Sequence, residues 1–252
     1  MENYIFITGA SSGVGREIAV ELSRTHPLIL NGRDTARLEE TKKLCGAGAD
    51  ILLWSYNLEE YQTLEQEFSS WIINHNVQIE GFVHCAGVVK MTPLRGVAPD
   101  TLEHIFAVHV FAPELILKVL ASKKYNAGNL KSAVLISSNI SGRGAAAFSV
   151  YGASKAALDG MVRNLAVELA PKIRVNSILP GGMITEMTKE IFADETIKKE
   201  LEENYPLGIG TPKDIAPMVE FLLSQQSRWI TGQQLVIDGG RTTDITERGK
   251  RK

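Results

Sequence analysis

Tyr151-Gly152-Ala153-Ser154-Lys155 opens a long amphipathic segment of this 252-residue chain. On a helix, residues four apart share a face one turn apart. An unperturbed tyrosine titrates at about 10. An ammonium beside it favours the phenolate and brings proton transfer toward neutral pH. Thirteen residues earlier, Ser138 closes the strand-like run Val134-Leu135-Ile136-Ser137-Ser138. Its hydroxyl can orient a carbonyl or an alcohol. Singly, each has a bland reading: a half-buried aromatic, a surface lysine, a loop serine. What gives the trio weight is a second chemical segment at the other end of the chain.

Thr8-Gly9-Ala10-Ser11-Ser12-Gly13-Val14-Gly15 joins an apolar strand pattern to a helical one. A glycine-rich turn there lets backbone approach a pyrophosphate, and the following helix directs its N–H groups and positive dipole end at the phosphates. Gly9, Ser11, Ser12, Gly13, Val14 and Gly15 are the candidate contacts. The next strand ends Asn31-Gly32-Arg33-Asp34, where an acid commonly receives the ribose hydroxyls of NAD(H). Arg33 can instead pair with a 2′-phosphate, which favours NADP(H), with NAD(H) as the alternative. Asp34 either caps the next helix or accepts from the ribose.

These segments need a scaffold. Residues 4–8, 28–31, 51–56, 81–84, 133–137, 173–179 and 234–237 read as strands. Residues 13–25, 34–44, 58–74, 100–122, 150–170 and 212–223 read as helices, Pro113 marking a junction or kink in the fourth. The alternation implies right-handed crossovers and a parallel sheet. The expected fold is α/β: a doubly wound, Rossmann-type, seven-stranded parallel sheet in three α/β/α layers, one domain over residues 1–252. Residues 180–207 follow the sixth strand and should form a lid over the carboxyl edge, with Met183, Ile184, Met187, Ile191 and Phe192 as its apolar residues. Residues 241–252 read as a tail ending in the solvated charges Arg248, Lys250, Arg251 and Lys252.

The whole pattern resembles the short-chain dehydrogenase/reductases of the roughly 250-residue type. The resemblance rests on the glycine turn, Asn57-Leu58, Ala86-Gly87, Ser138, Tyr151-x-x-x-Lys155, Arg174-Val175-Asn176 with Pro180-Gly181, and Ile230-Thr231-Gly232 before Asp238-Gly239-Gly240. It implies Tyr151 as general acid/base, Ser138 on the substrate oxygen, and Lys155 lowering the tyrosine pKa and holding the nicotinamide ribose. It also implies Ser11, Ser12 and Arg33 at the adenosine ribose, Asn57 and Leu58 at the adenine, Ala86 and Gly87 against the cofactor, and Pro180, Gly181, Met183 and Thr185 near the carboxamide and diphosphate. A homo-oligomer, commonly a tetramer built with the helices around Tyr151, comes with it.

Two positions depart from the family pattern. His84-Cys85 stands where Asn-Asn is frequent and reads as structural, because no other metal-binding side chains accompany it. His109 replaces an asparagine that holds a helix kink and a proton relay. Histidine can substitute, weaken the relay, or add a group titrating at about 6.5. The C-terminal half is similar to the 3-oxoacyl carrier-protein reductases, so the substrate is a small molecule or an acyl thioester. Lys123, Lys124, Lys172 and Arg174 would offer a basic face to an acyl carrier protein. A cofactor-dependent lyase or isomerase, and a non-catalytic cofactor sensor motivated by His109, are the competing readings.

Lys and Arg total 27 against 29 Asp and Glu, a balance that argues against a nucleic-acid partner. Cys45 and Cys85 make no disulfide framework. With no signal peptide and no apolar stretch of ~20 residues, a cytoplasmic protein without a membrane partner is expected. No metal is expected.

Overall fold

Along Tyr4-Ile5-Phe6-Ile7 the side chains alternate between two apolar layers, Tyr4 and Phe6 to one and Ile5 and Ile7 to the other. A strand buried on both faces belongs in the middle of a sheet, and the computed structural model places it there. It describes residues 3–186, 188–189, 193 and 195–244. Met187, Ile191, Phe192 and the basic tail lie outside the described residues.

Seven strands, β1 (Asn3–Thr8), β2 (Leu28–Gly32), β3 (Ile51–Ser55), β4 (Gln78–His84), β5 (Ser132–Ile136), β6 (Arg174–Pro180) and β7 (Gln234–Ile237), form one sheet in the order β3-β2-β1-β4-β5-β6-β7. Every pairing is parallel. The helices are α1 (Gly13–Leu22), α2 (Thr35–Leu44), α3 (Tyr61–His75), α4 (Pro99–Phe106), α5 (Ala112–Ala121), α6 (Lys123–Asn126), α7 (Ser149–Leu169), α8 (Glu195–Asn204) and α9 (Ala216–Leu223). One core packs α3, α5 and α7 on the sheet around Phe6, Phe68 and Phe82, with ring centroids 4.8 and 5.6 Å from Phe6. The other packs α1 and α9 around Ile7, Ile18, Val134 and Val219. Burying each such side chain is worth about 1.5–3 kcal/mol.

Among the boundaries that differ from the sequence reading, two lie near the site. Helix α3 begins at Tyr61, not at Leu58, because Asn57 closes a turn: its carbonyl accepts from Glu60 N–H at 3.0 Å and its Oδ1 from Glu59 N–H at 3.3 Å. The break expected at Pro113 lies upstream, as a π-helical turn over Ala107–Phe111. Proline lacks the N–H that would bond the His109 carbonyl, so the preceding turn is free to widen. The helix nevertheless runs on unbroken. Pro99–Ala121 is 23 residues and, contrary to expectation, long and apolar enough to cross a membrane, but 56% of its most apolar window is buried inside the protein, as in a core helix.

Because β1 leads outward to β2 and β3 while β4 lies on its other side, the connections leaving β1 and β4 diverge. A crevice opens there at the carboxyl edge. Beyond β6, Thr185 comes back to that edge beside Gly13. Met183 bridges to Gly210, and the Tyr205 hydroxyl accepts from Gly182 N–H at 2.6 Å.

Candidate active site

The glycine turn leaves β1 with Gly9 at φ +67°. A Cβ on Gly9 would stand 2.6 Å from Ala86 N, and one on Gly15 2.3 Å from Gly9 O, so neither position admits a side chain. Ser12 begins α1 without capping it through its side chain, and the first turn holds no acid. The helix therefore keeps its leading N–H groups and positive end for an anion. Thr185 of the returning segment faces Gly13 across the turn, 3.7 Å from where a Cβ would stand. Val14 packs against the core and can offer a ligand only its backbone.

At the β2 end, Ser11 packs against Gly32. Asn31 Nδ2 donates to the Trp54 and Tyr56 carbonyls at 3.0 and 3.2 Å, and its buried Oδ1 has no partner among the described residues. Arg33 extends from the strand end, 69% exposed, to the Glu59 carboxylate. Asp34 accepts from Arg37 N–H at 3.2 Å, so it serves as the cap of α2. The Leu58 side chain is buried in the core, so its backbone is the part that can border an adenine. A helix terminus kept for an anion and a guanidinium at the end of the neighbouring strand suit the phosphates of a dinucleotide.

Ser138 follows β5 and starts a short 3₁₀ turn over Asn139–Gly142, its Oγ accepting from Ile140 N–H at 3.2 Å. Tyr151 lies in the first turn of α7. Lys155, one turn on, is buried and donates to the Ile136 carbonyl at 2.9 Å, with Nζ 6.0 Å from the Tyr151 ring centre. Serine, tyrosine and lysine thus converge at the ends of β5 and α7. Their electrostatics differ from the sequence expectation. Burial pushes the Tyr151 phenol above its ordinary value, and the Ser138 hydroxyl pulls the other way. Burial also lowers Lys155 to about 8, opposed by Cys85 and the buried Asp159. Lys155 donates to a β5 carbonyl, and burial of the phenol prevails over the Ser138 hydrogen bond.

Two buried histidines tie this corner together. His109 Nε2 accepts from Val88 N–H at 3.0 Å, so the ring proton sits on Nδ1 and is donated to Ser154 Oγ at 2.8 Å. Ser154 donates in turn to the Tyr151 carbonyl at 2.7 Å. The imidazole stands edge-on to Tyr151, with centroids 5.5 Å apart. His84 has the opposite tautomer: Nε2 donates to the Val108 carbonyl at 3.1 Å, and Nδ1 accepts from the Thr8 hydroxyl at 2.9 Å. Thr8 Oγ1 accepts from the Cys85 and Ala86 N–H groups at 3.1 and 3.3 Å. Burial, reinforced by the Lys155 charge, lowers His84 to about 3 and His109 well below its ordinary value. His109 therefore adds no group titrating near neutrality; both rings are neutral struts holding the π turn between β1, β4 and α7. Cys85, raised to about 12 by burial, stays a thiol. Gly87 opens onto this corner, its missing Cβ 3.2 Å from His109 Nε2 and 3.8 Å from Lys155 Nζ.

A family model described as enoyl-(acyl carrier protein) reductase matches residues 9–242. Human mitochondrial dehydrogenase/reductase SDR family member 2 is 32% identical over 244 residues, 94% of this chain and 85% of that protein. The chain belongs to the short-chain dehydrogenase/reductase family. Rat (3R)-3-hydroxyacyl-CoA dehydrogenase is 31% identical over 252 residues, 93% of this chain and 94% of that protein. A mutant 4-hydroxyisoleucine dehydrogenase complexed with NADH and succinate matches with a TM-score of 0.88 at 28% identity, over 97% of this chain and 100% of that one.

The basic residues grouped in the sequence reading lie at one edge of the sheet in this dehydrogenase/reductase. Arg174 spends its guanidinium on the Leu222, Leu223 and Ser224 carbonyls and the Ser227 hydroxyl. Lys123 and Lys124 precede β5 and Lys172 precedes β6, at the amino edge of the sheet, opposite Tyr151. The sequence reading gave Thr8 no role beyond opening the glycine turn and passed over Asp159 and Glu59. Asp159, one turn beyond Lys155, accepts from Ser177 Oγ at 2.9 Å, and the i+4 spacing was its signal.

Proposed function

We propose that the chain is an NADPH-dependent carbonyl reductase. The carrying observation is the convergence of the half-buried Tyr151 phenol, the Ser138 hydroxyl that hydrogen-bonds it and the buried Lys155 at the open edge of the crevice. A protonated phenol can give its proton to a carbonyl oxygen, the step a reduction needs. The uncapped N-terminus of α1 would hold the pyrophosphate, Arg33 the 2′-phosphate, and Asn57, the Leu58 backbone, Ala86 and Gly87 the adenosine side. Pro180, Gly181, Met183 and Thr185 would close over the nicotinamide side. When bound, the nicotinamide supplies the hydride to the carbonyl carbon. Tyr151 donates its phenolic proton to the carbonyl oxygen while Ser138 hydrogen-bonds the same atom. The Lys155 ammonium, charged below about 8, stabilises the phenolate left behind.

A 3-oxoacyl thioester is the substrate class to test first, on the strength of the family description and of the rat relative's name. The exposed Leu102, Phe111, Val167 and Trp229 support self-association. The test is NADPH oxidation by a panel of 3-oxoacyl thioesters and simple ketones, run beside fluorescence titrations with NADPH and NADH. Turnover of a thioester with tighter NADPH binding is the expected result. Failure to bind either nucleotide would remove the enzymatic reading, and tighter NADH binding the role given to Arg33.

A further inference from the structure

The guanidinium offered to a 2′-phosphate already has a partner. Arg33 Nη1 donates to Glu59 Oε1 at 3.2 Å. The other carboxylate oxygen, Oε2, lies 3.0 Å from His104 Nδ1 on α4. Glu59 is also fixed through its backbone, whose N–H donates to Asn57 Oδ1, so the carboxylate rides on the turn that carries Asn57 and Leu58. It is 30% exposed, better shielded than the arginine it faces. The nearby Arg37 is likewise engaged, by Glu186 of the returning segment, and Asp34 is spent on capping α2. Both arginines at this end are therefore matched by carboxylates of the chain itself.

We infer that Glu59 is a specificity-determining residue, a built-in competitor for Arg33 that weakens the hold on a 2′-phosphate and lets the cleft accept both nicotinamide dinucleotides. The inference rests on the reading of Arg33 as the 2′-phosphate partner. Carboxylate and phosphate engage a guanidinium through the same planar fork. A phosphate arriving at Arg33 must displace Glu59 or stand beside it, and two like charges so close repel. An NADH ribose brings no such charge, so Glu59 costs it nothing. His104 sharpens the effect by anchoring the carboxylate on the side away from Arg33.

Glu59→Gln tests this, since glutamine keeps the shape and an acceptor for Arg33 but removes the charge. NADPH and NADH dissociation constants are measured by nicotinamide fluorescence at low salt for the full chain, for Glu59→Gln and for Arg33→Ala. Glu59→Gln is expected to tighten NADPH by about three- to five-fold and to leave NADH within about two-fold, as fits removal of one partly exposed charge. Unchanged NADPH affinity, or equal tightening of both nucleotides, overturns the inference. Arg33→Ala separates its failure from that of the underlying reading. If that variant weakens NADPH selectively while Glu59→Gln does nothing, only the competitor role falls. If it leaves the NADPH-to-NADH ratio unchanged, the 2′-phosphate reading falls and takes the competitor role with it.

Discussion

Around Tyr151 the polar atoms are buried and matched one to one. His109 links Val88 to Ser154 and Ser154 to the Tyr151 backbone, His84 links Thr8 to Val108, and Lys155 holds the end of β5. Around Arg33 the contacts are ion pairs open to solvent, Arg33 with Glu59 and Arg37 with Glu186. Buried hydrogen bonds set position and tolerate little, because an atom left unmatched keeps its desolvation penalty. Exposed ion pairs are weak, screened and exchangeable. The reacting end is thus built for geometry, and the adenosine end for adjustable affinity.

The largest effect should come where the comparison places the chemistry. Tyr151→Phe removes one oxygen, and kcat should fall by about 10²–10⁴, the usual worth of a positioned acid. Nucleotide dissociation constants should stay within about two-fold, since the pyrophosphate and 2′ contacts lie elsewhere. Single-turnover rates beside fluorescence titrations check both halves. A variant that keeps its rate would take the chemistry away from Tyr151.

Next come the histidine struts, through the pH dependence of stability. Both folded-state values lie below the ordinary value of about 6.5. The unfolded chain therefore takes up protons that the folded one refuses once the pH drops below about 6.5. Stability is fully present above that value and is lost as the pH falls toward about 3 at His84. Each histidine contributes a slope of about 1.4 kcal/mol per pH unit within its window. His109→Asn can still accept and donate, so it should fold and shed one of the two contributions. Urea midpoints between pH 7 and pH 4.5 would show this as a shallower acid loss; a slope identical to the parent's would mean that His109 is not neutral in the folded protein.

What the sequence revealed divides along the same line. The Tyr151–Lys155 spacing, the glycine turn and the alternating strands are local patterns, and a periodicity or an i+4 relation is visible in a few residues. The struts join Thr8 to His84 and His109 to Ser154, 76 and 45 positions apart, and only the fold brings them together. The Arg33–Glu59 pair was hidden for the same reason: Arg33 could be assigned a charge from the sequence but not a partner. The direction of the Tyr151 shift was misread because spacing shows the neighbouring ammonium and not the depth of burial, and burial prevails.

The smallest effect follows from screening. Raising salt from about 0.05 to 0.5 M shortens the range of exposed charge interactions to well under 10 Å. A 2′-phosphate carries more charge than the carboxylate it meets at Arg33, so it has more attraction to lose. NADPH should weaken by about two- to four-fold relative to NADH, as for exposed pairs of this kind. The turnover of the saturated enzyme should hold, because Lys155, His84 and His109 are buried out of reach of the ions. Steady-state rates with both nucleotides across that range separate the two ends of the cleft: a KM for NADPH that rises while kcat stays level keeps them distinct, and a kcat that falls in step would show that the reacting corner also depends on surface charge.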